Sequence, residues 1–194
     1  MKVVVERKKK RKNLIEKSWE DWKKIEKTWI GDFVYAILGL ILAYITYHFI
    51  LAYILHTPTP IVAVVSSSME HINPEVTYYG WLEKNLGYNR SYIESWPFPN
   101  GLNVGDMPIV MGSDEYKVGD IIVYQVDGIP APIIHRVIKI NPDGTFQTKG
   151  DNNLTQLPYE KHVPKEKIYG KVIFIIPKIG YVKVLINKIF GLRW

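Results

Sequence analysis

The rhythm of apolar and polar positions changes several times along the chain. From Asn13 to Trp29, the apolar side chains Ile15, Trp19, Trp22, Ile25 and Trp29 recur every three or four residues. That is the period of one helix face, with Asn13 a candidate cap. Phe33 to Leu55 then passes twenty-three residues without Asp, Glu, Lys or Arg. At about 1.5 Å per residue this is long enough to cross a hydrocarbon core of about 30 Å with some tilt. His56-Thr57-Pro58-Thr59-Pro60 ends that helix, because proline cannot continue it and restricts the residue before it.

Beyond the prolines the pattern turns to β. Ile61 to Val65 is apolar and largely β-branched, which predicts a buried strand. Met107 to Met111, Ile121 to Tyr124, Ile133 to Ile140, Thr145 to Thr148 and Ile168 to Ile175 are further short runs of strand composition. Gly119-Asp120, Asp127-Gly128, Asp143-Gly144 and Gly150-Asp151 punctuate them as turns. Asn73 to Asn103 stands apart, with Tyr78, Tyr79, Trp81, Tyr88, Tyr92, Trp96 and Phe98. Part of Glu75 to Leu86 reads as helical, and the pattern leaves open a membrane-dipping flap, a lid or surface structure. Ile179 to Trp194 is apolar but broken by Lys183, Lys188 and Arg193, which predicts an amphipathic, membrane-associated segment rather than a second span.

Charge sets the expected topology. Residues 1–29 hold eleven Lys/Arg against five Asp/Glu, while residues 30–194 hold fourteen of each, so the tail carries the whole net charge of +6. The block Arg7 to Lys12 suits orientation and contact with anionic headgroups better than nucleic acid. The positive-inside rule puts this tail in the cytoplasm and everything after the span outside. A cleaved signal peptide would have a shorter apolar region of about 7–15 residues ending at a small-residue site, so the span reads as an anchor. With no cysteine, disulfides and thiolate metal sites are excluded.

Three stretches carry candidate chemistry. Ser66-Ser67-Ser68-Met69 follows the first β run, Ile133-Ile134-His135-Arg136-Val137-Ile138 places a histidine on a strand, and Thr148-Lys149-Gly150-Asp151-Asn152-Asn153 places an acid in a turn. Alone, the first reads as a serine-rich turn and the second as a core histidine. Together they supply the nucleophile, base and acid of an acyl-transfer site.

In this order the motifs resemble type I signal peptidase over roughly residues 30–180. The histidine and the Asp-Asn-Asn turn resemble the branch of archaea and the endoplasmic reticulum; the bacterial branch has lysine where His135 stands. The resemblance implies a mainly β catalytic domain of signal-peptidase type; the apolar pattern adds one N-terminal transmembrane α-helix that anchors it and a cytoplasmic amphipathic helix before that. The expected divisions are 1–29 for the basic tail, 30–56 for the anchor, 57–178 for the extracytoplasmic domain with an insertion at 72–104, and 179–194 for the C-terminal segment.

By the same resemblance Ser68, directly before methionine, is the nucleophile, and His135 takes its proton and returns it to the leaving amine. The Ser68 amide and the Ser66 hydroxyl would hold the oxyanion, with Ser67 pointing away. Asp151 is the expected acid. The family usually has a second aspartate about half a dozen residues further on, and here the next acid is Glu160, the alternative. No metal or organic cofactor is implied. The implied partners are signal-peptide-bearing preproteins, membrane lipids and the secretion translocon, with the chain in the plasma membrane as a single-pass protein. The competing readings are a self-cleaving serine protease of similar core and a non-catalytic membrane-anchored β-domain that binds secreted proteins.

Overall fold

The computed structural model describes residue 12, residues 16–24 and residues 26–181. It separates into two compact units, residues 1–50 and 51–194. In the first, residues 16–24 are helical. Asn13, Ile15 and Ile25 lie outside the described residues, as do residues 182–194 of the expected C-terminal amphipathic segment. Helix α1 (Trp29–Ile45) passes into a π-helical stretch, Thr46–Leu51, and a last turn, Ala52–Ile54. Trp29–Ile54 as a whole is long and apolar enough to cross a membrane. Phe33, Leu40 and Tyr53 are largely exposed along it, and a helix apolar all round suits lipid.

The second unit is built on one antiparallel sheet, β1 (Met107–Met111), β2 (Ile121–Tyr124), β3 (Ile133–Ile140), β4 (Phe146–Lys149) and β5 (Ile168–Ile176), in the order β1-β5-β2-β3-β4. Strands fall where the β-branched runs lie, with β4 displaced by one residue from its expected bounds. Strand alternation sorts side chains to two faces. On one, Ile122 and Tyr124 pack with Val137, Phe146 and Val163. On the other, Ile121 packs with Val64, Met69, Leu102 and Val172.

The run Ile61–Val65 is not the buried strand that its composition predicts. It lies extended beside β1, bridging only at Ile61 and Ile109, and of its five residues Val64 alone is buried. Val62 N–H donates to the Pro108 carbonyl (3.2 Å) and Val64 N–H to the Asp106 carbonyl (2.9 Å). Pro108 has no N–H to return the bond, so the ladder cannot close.

Residues 72–100 form an excursion whose two ends meet at the bridge between Glu70 and Gly101. It contains a π-helical turn (Glu75–Tyr79), α2 (Gly80–Leu86) and α3 (Arg90–Glu94). Gly87 ends α2 in the left-handed conformation at φ 70°, where a Cβ would be strained. Tyr78, Leu82, Ile93 and Trp96 pack together with Ile138 of β3. The insertion is thus a second layer on that face of the sheet.

Candidate active site

Ser68 sits in a short 3-10 turn, Ser67–Met69, entered from an extended Ser66. Met69 anchors the turn in the core, and its carbonyl accepts from Leu102 N–H at 2.9 Å. Being in the first turn of such a helix, the Ser68 N–H has no intrahelical acceptor. The Ser66 and Ser68 hydroxyls are 3.2 Å apart, while the Ser67 side chain is exposed.

His135 reaches this turn from the middle of β3. Its Nε2 is 3.2 Å from Ser68 Oγ, and the ring is buried. Behind it, Nδ1 is in direct contact with Glu160 Oε1, and neither atom has another hydrogen-bond partner among the described residues. Glu160 is fully buried at the end of the 3-10 turn Pro158–Glu160, and its Oε2 accepts from Leu157 N–H.

Asp151, the expected acid, does not meet His135. Strand alternation puts Arg136 on the opposite face of β3, and Asp151 has gone with it. Arg136 Nε lies 3.0 and 3.1 Å from the two carboxylate oxygens and Nη2 lies 2.7 Å from Oδ2, all within a buried pair. The remaining guanidinium donors go to the carbonyls of Pro97, Phe98 and Gly119. A third group, His71, puts Nε2 3.0 Å from Asp151 Oδ2. Burial pushes the Asp151 carboxyl up, but the Arg136 charge and the bonds from His71 and Arg136 outweigh it and hold the pKa below the ordinary carboxylate value. The carboxylate that faces His135 is therefore not the expected one. Glu160, the alternative, stands behind His135, and Asp151 is the counter-charge of a buried arginine.

One lysine also approaches this region. Burial lowers Lys149 to about 8, against the opposing charges of Asp151 and Glu160. Its Nζ donates to the Thr77 and Gly150 carbonyls at 2.7 and 2.9 Å. It pairs with Arg136 in register, on the face away from His135, so the ammonium group is not a base for Ser68.

A groove of about 340 Å³ opens onto Ser68 and His135, walled by Ala63, Val65, Ala131, Ile133, Leu157 and Tyr159 among others. The turn-forming aspartates remain outside it. Asp106 accepts from Asn103 N–H and Asp120 from Lys117 N–H, each three residues back. Sequence reasoning missed His71, and its only signal was a titratable side chain three residues past the nucleophile.

Ser68, His135 and Glu160 form a hydroxyl–imidazole–carboxylate chain that runs from the groove into the core, the arrangement that activates a serine for acyl transfer. No family model matches the chain. It is 33% identical over 140 residues to the signal peptidase complex catalytic subunit of Sclerotinia sclerotiorum, covering 68% of this chain and 66% of that protein. It is 32% identical over 146 residues to the corresponding subunit of Chaetomium globosum, covering 71% and 70%. Against that of Komagataella phaffii it is 37% identical over 99 residues, covering 43% and 58%. The chain thus spans about two thirds of the length of the first two relatives. It belongs to the type I signal peptidases, a family of serine endopeptidases, in the branch shared by archaea and the endoplasmic reticulum.

Proposed function

We propose that this chain is a membrane-anchored serine endopeptidase that removes signal peptides from preproteins on the outer face of the membrane. The contact chain from Ser68 Oγ through His135 to Glu160 carries this reading. Ser68 Oγ attacks the scissile carbonyl as its proton passes to His135 Nε2. Glu160 holds the ring by Nδ1 and stabilises the imidazolium. The tetrahedral oxyanion takes the Ser68 amide and the Ser66 hydroxyl as donors. Collapse breaks the C–N bond, and the Nε2 proton leaves with the new amine. Water, deprotonated by the same nitrogen, then releases the acyl group and restores the serine.

The groove supports an extended peptide with small side chains beside the cut. Ala63, Val65, Ala131 and Ile133 wall the groove, and an extended chain can add beside the run that ends at Val65. The basic tail and the apolar helix support a cytoplasmic N-terminus and an extracytoplasmic site. The relatives are named as subunits of a complex, which supports assembly of this chain with other subunits. The test is cleavage of a signal-peptide-bearing preprotein by the full chain in lipid vesicles. Wild type should cut at the small-residue site and Ser68→Ala should not; equal cleavage by both would overturn the proposal.

A further inference from the structure

We infer that His71 is a positioning residue, which holds the nucleophile turn against the turn Gly150–Asn153 through its bond to Asp151. The kinetic part of this inference rests on the peptidase reading above.

Those two turns are in intimate contact. Asn152 N–H donates to the Ser68 carbonyl at 2.8 Å, and Asn152 Nδ2 donates to the Ser67 carbonyl at 3.1 Å. A Cβ at Gly150 would lie 2.8 Å from the Ser68 oxygen, so the glycine allows this approach. Two hydrogen bonds from one residue fix a contact but leave the turns free to hinge about it. The bond between His71 and Asp151 closes the far end of the same interface. It joins the residue three past the nucleophile to the residue just ahead of Asn152.

The chemistry of this tie is defined by its surroundings. Asp151 is held ionised by Arg136, so it only accepts, and His71 Nε2 must carry the proton. The ring packs on Tyr78, with centroids 4.6 Å apart, and its side chain is only 12% exposed. Asp151 cannot follow a moving partner, since Arg136 anchors it from β3 and is itself held by Pro97 and Phe98 of the insertion. His71 thus transmits a rigid reference point to the segment carrying Ser68. It touches neither Ser68 nor His135, and so acts only through position. The insertion gains a role as well, because both Tyr78 and the two carbonyls belong to it.

A side chain acting this way should alter turnover more than substrate affinity, since small displacements of a nucleophile cost rate steeply. The test uses the full chain in detergent micelles, with H71A, H71N and H71Q compared by preprotein cleavage and by amide hydrogen exchange at residues 150–153. Gln can present an N–H near the Nε2 position, whereas Asn falls short. We expect kcat in H71A and H71N to fall by about tenfold or more, with KM within about twofold, and H71Q to recover most of the loss. Exchange at Asn152 should quicken in H71A and H71N and return towards wild type in H71Q. If H71A does not fold, the H71Q–H71N contrast decides the matter. Unchanged exchange, unchanged kcat, or H71Q no better than H71N would overturn the inference. Failure of the wild type to cleave would instead count against the peptidase reading, and exchange would still decide whether the tie exists.

Discussion

His135 and Arg136 are consecutive in β3, and each takes a different acid: Glu160 meets His135 on one face of the sheet, and Asp151 meets Arg136 on the other. The pleat makes this separation compulsory, since neighbouring side chains in a strand point to opposite faces. A carboxylate bound to the arginine is thereby withdrawn from the histidine.

Glu160→Gln is expected to abolish most turnover. An amide facing Nδ1 can donate its own N–H there, leaving Nε2 protonated and unable to accept from Ser68. In a comparable triad the amide replacement costs about 10⁴ in kcat. Folding should survive, because the amide oxygen can still accept from Leu157 N–H. Single-turnover cleavage by E160Q within tenfold of wild type would refute the assignment.

Asp151→Asn should act mainly on stability, despite being nearly isosteric. It leaves Arg136, which is completely buried, without a counter-charge, and breaking a buried pair in this way costs about 3–5 kcal/mol. The depressed Asp151 pKa has a linked consequence. Its contribution is full above the unfolded value of about 3.9 and is lost as pH falls through the lower folded value. Chemical denaturation of D151N and wild type should therefore differ widely at neutral pH and converge in strong acid. Equal midpoints at pH 7 would show that the arginine does not need this acid.

Much of this could be read from the sequence. The strands were legible because β-branched runs and Gly-Asp turns are local signals, and Ser68, Ser66 and His135 lie where their motifs put them. Which carboxylate faces His135 was not, because two carboxyls in one long loop are equivalent until the faces of β3 are sorted. Arg136 was the overlooked signal: a cation on the far face of a buried strand needs a partner, and of the two candidate acids Asp151 lies nearer to it in sequence. The insertion was illegible for another reason. An aromatic stripe on a short helix looks the same whether it faces lipid, substrate or a sheet, and only its packing on Ile138 decides.

The three serines should separate by role. Ser68→Ala removes the proposed nucleophile and should leave no cleavage with the fold intact. Ser66→Ala removes one proposed oxyanion donor, so kcat should fall by about 10²–10³ with little change in KM. Ser67→Ala should be nearly silent, since that residue's contact with Asn152 uses its carbonyl. Steady-state kinetics on one preprotein distinguishes them, and equal losses in S67A and S66A would mean that the turn has been assigned the wrong way round.

Lys149 should leave a signature in alkaline stability. Burial lowers its pKa to about 8, so the folded protein releases this proton before the unfolded chain does, whose lysines titrate near about 10.4. Between those values the unfolded state binds more protons, and stability must rise with pH. Buried Tyr78 and Tyr124 act in the opposite sense. Burial raises both, so their contribution is full below the ordinary tyrosine value of about 10 and is lost above it. The two effects together predict a gain of at most a few kcal/mol from about pH 8 to pH 10, then a decline. Lys149→Met should remove the gain and keep the decline. It should also lower stability at pH 9.5 relative to wild type, because the Thr77 and Gly150 carbonyls lose their donor. Guanidinium midpoints measured in detergent from pH 7 to pH 10.5 would show both, and a midpoint flat in pH for wild type would mean that the ammonium is not desolvated.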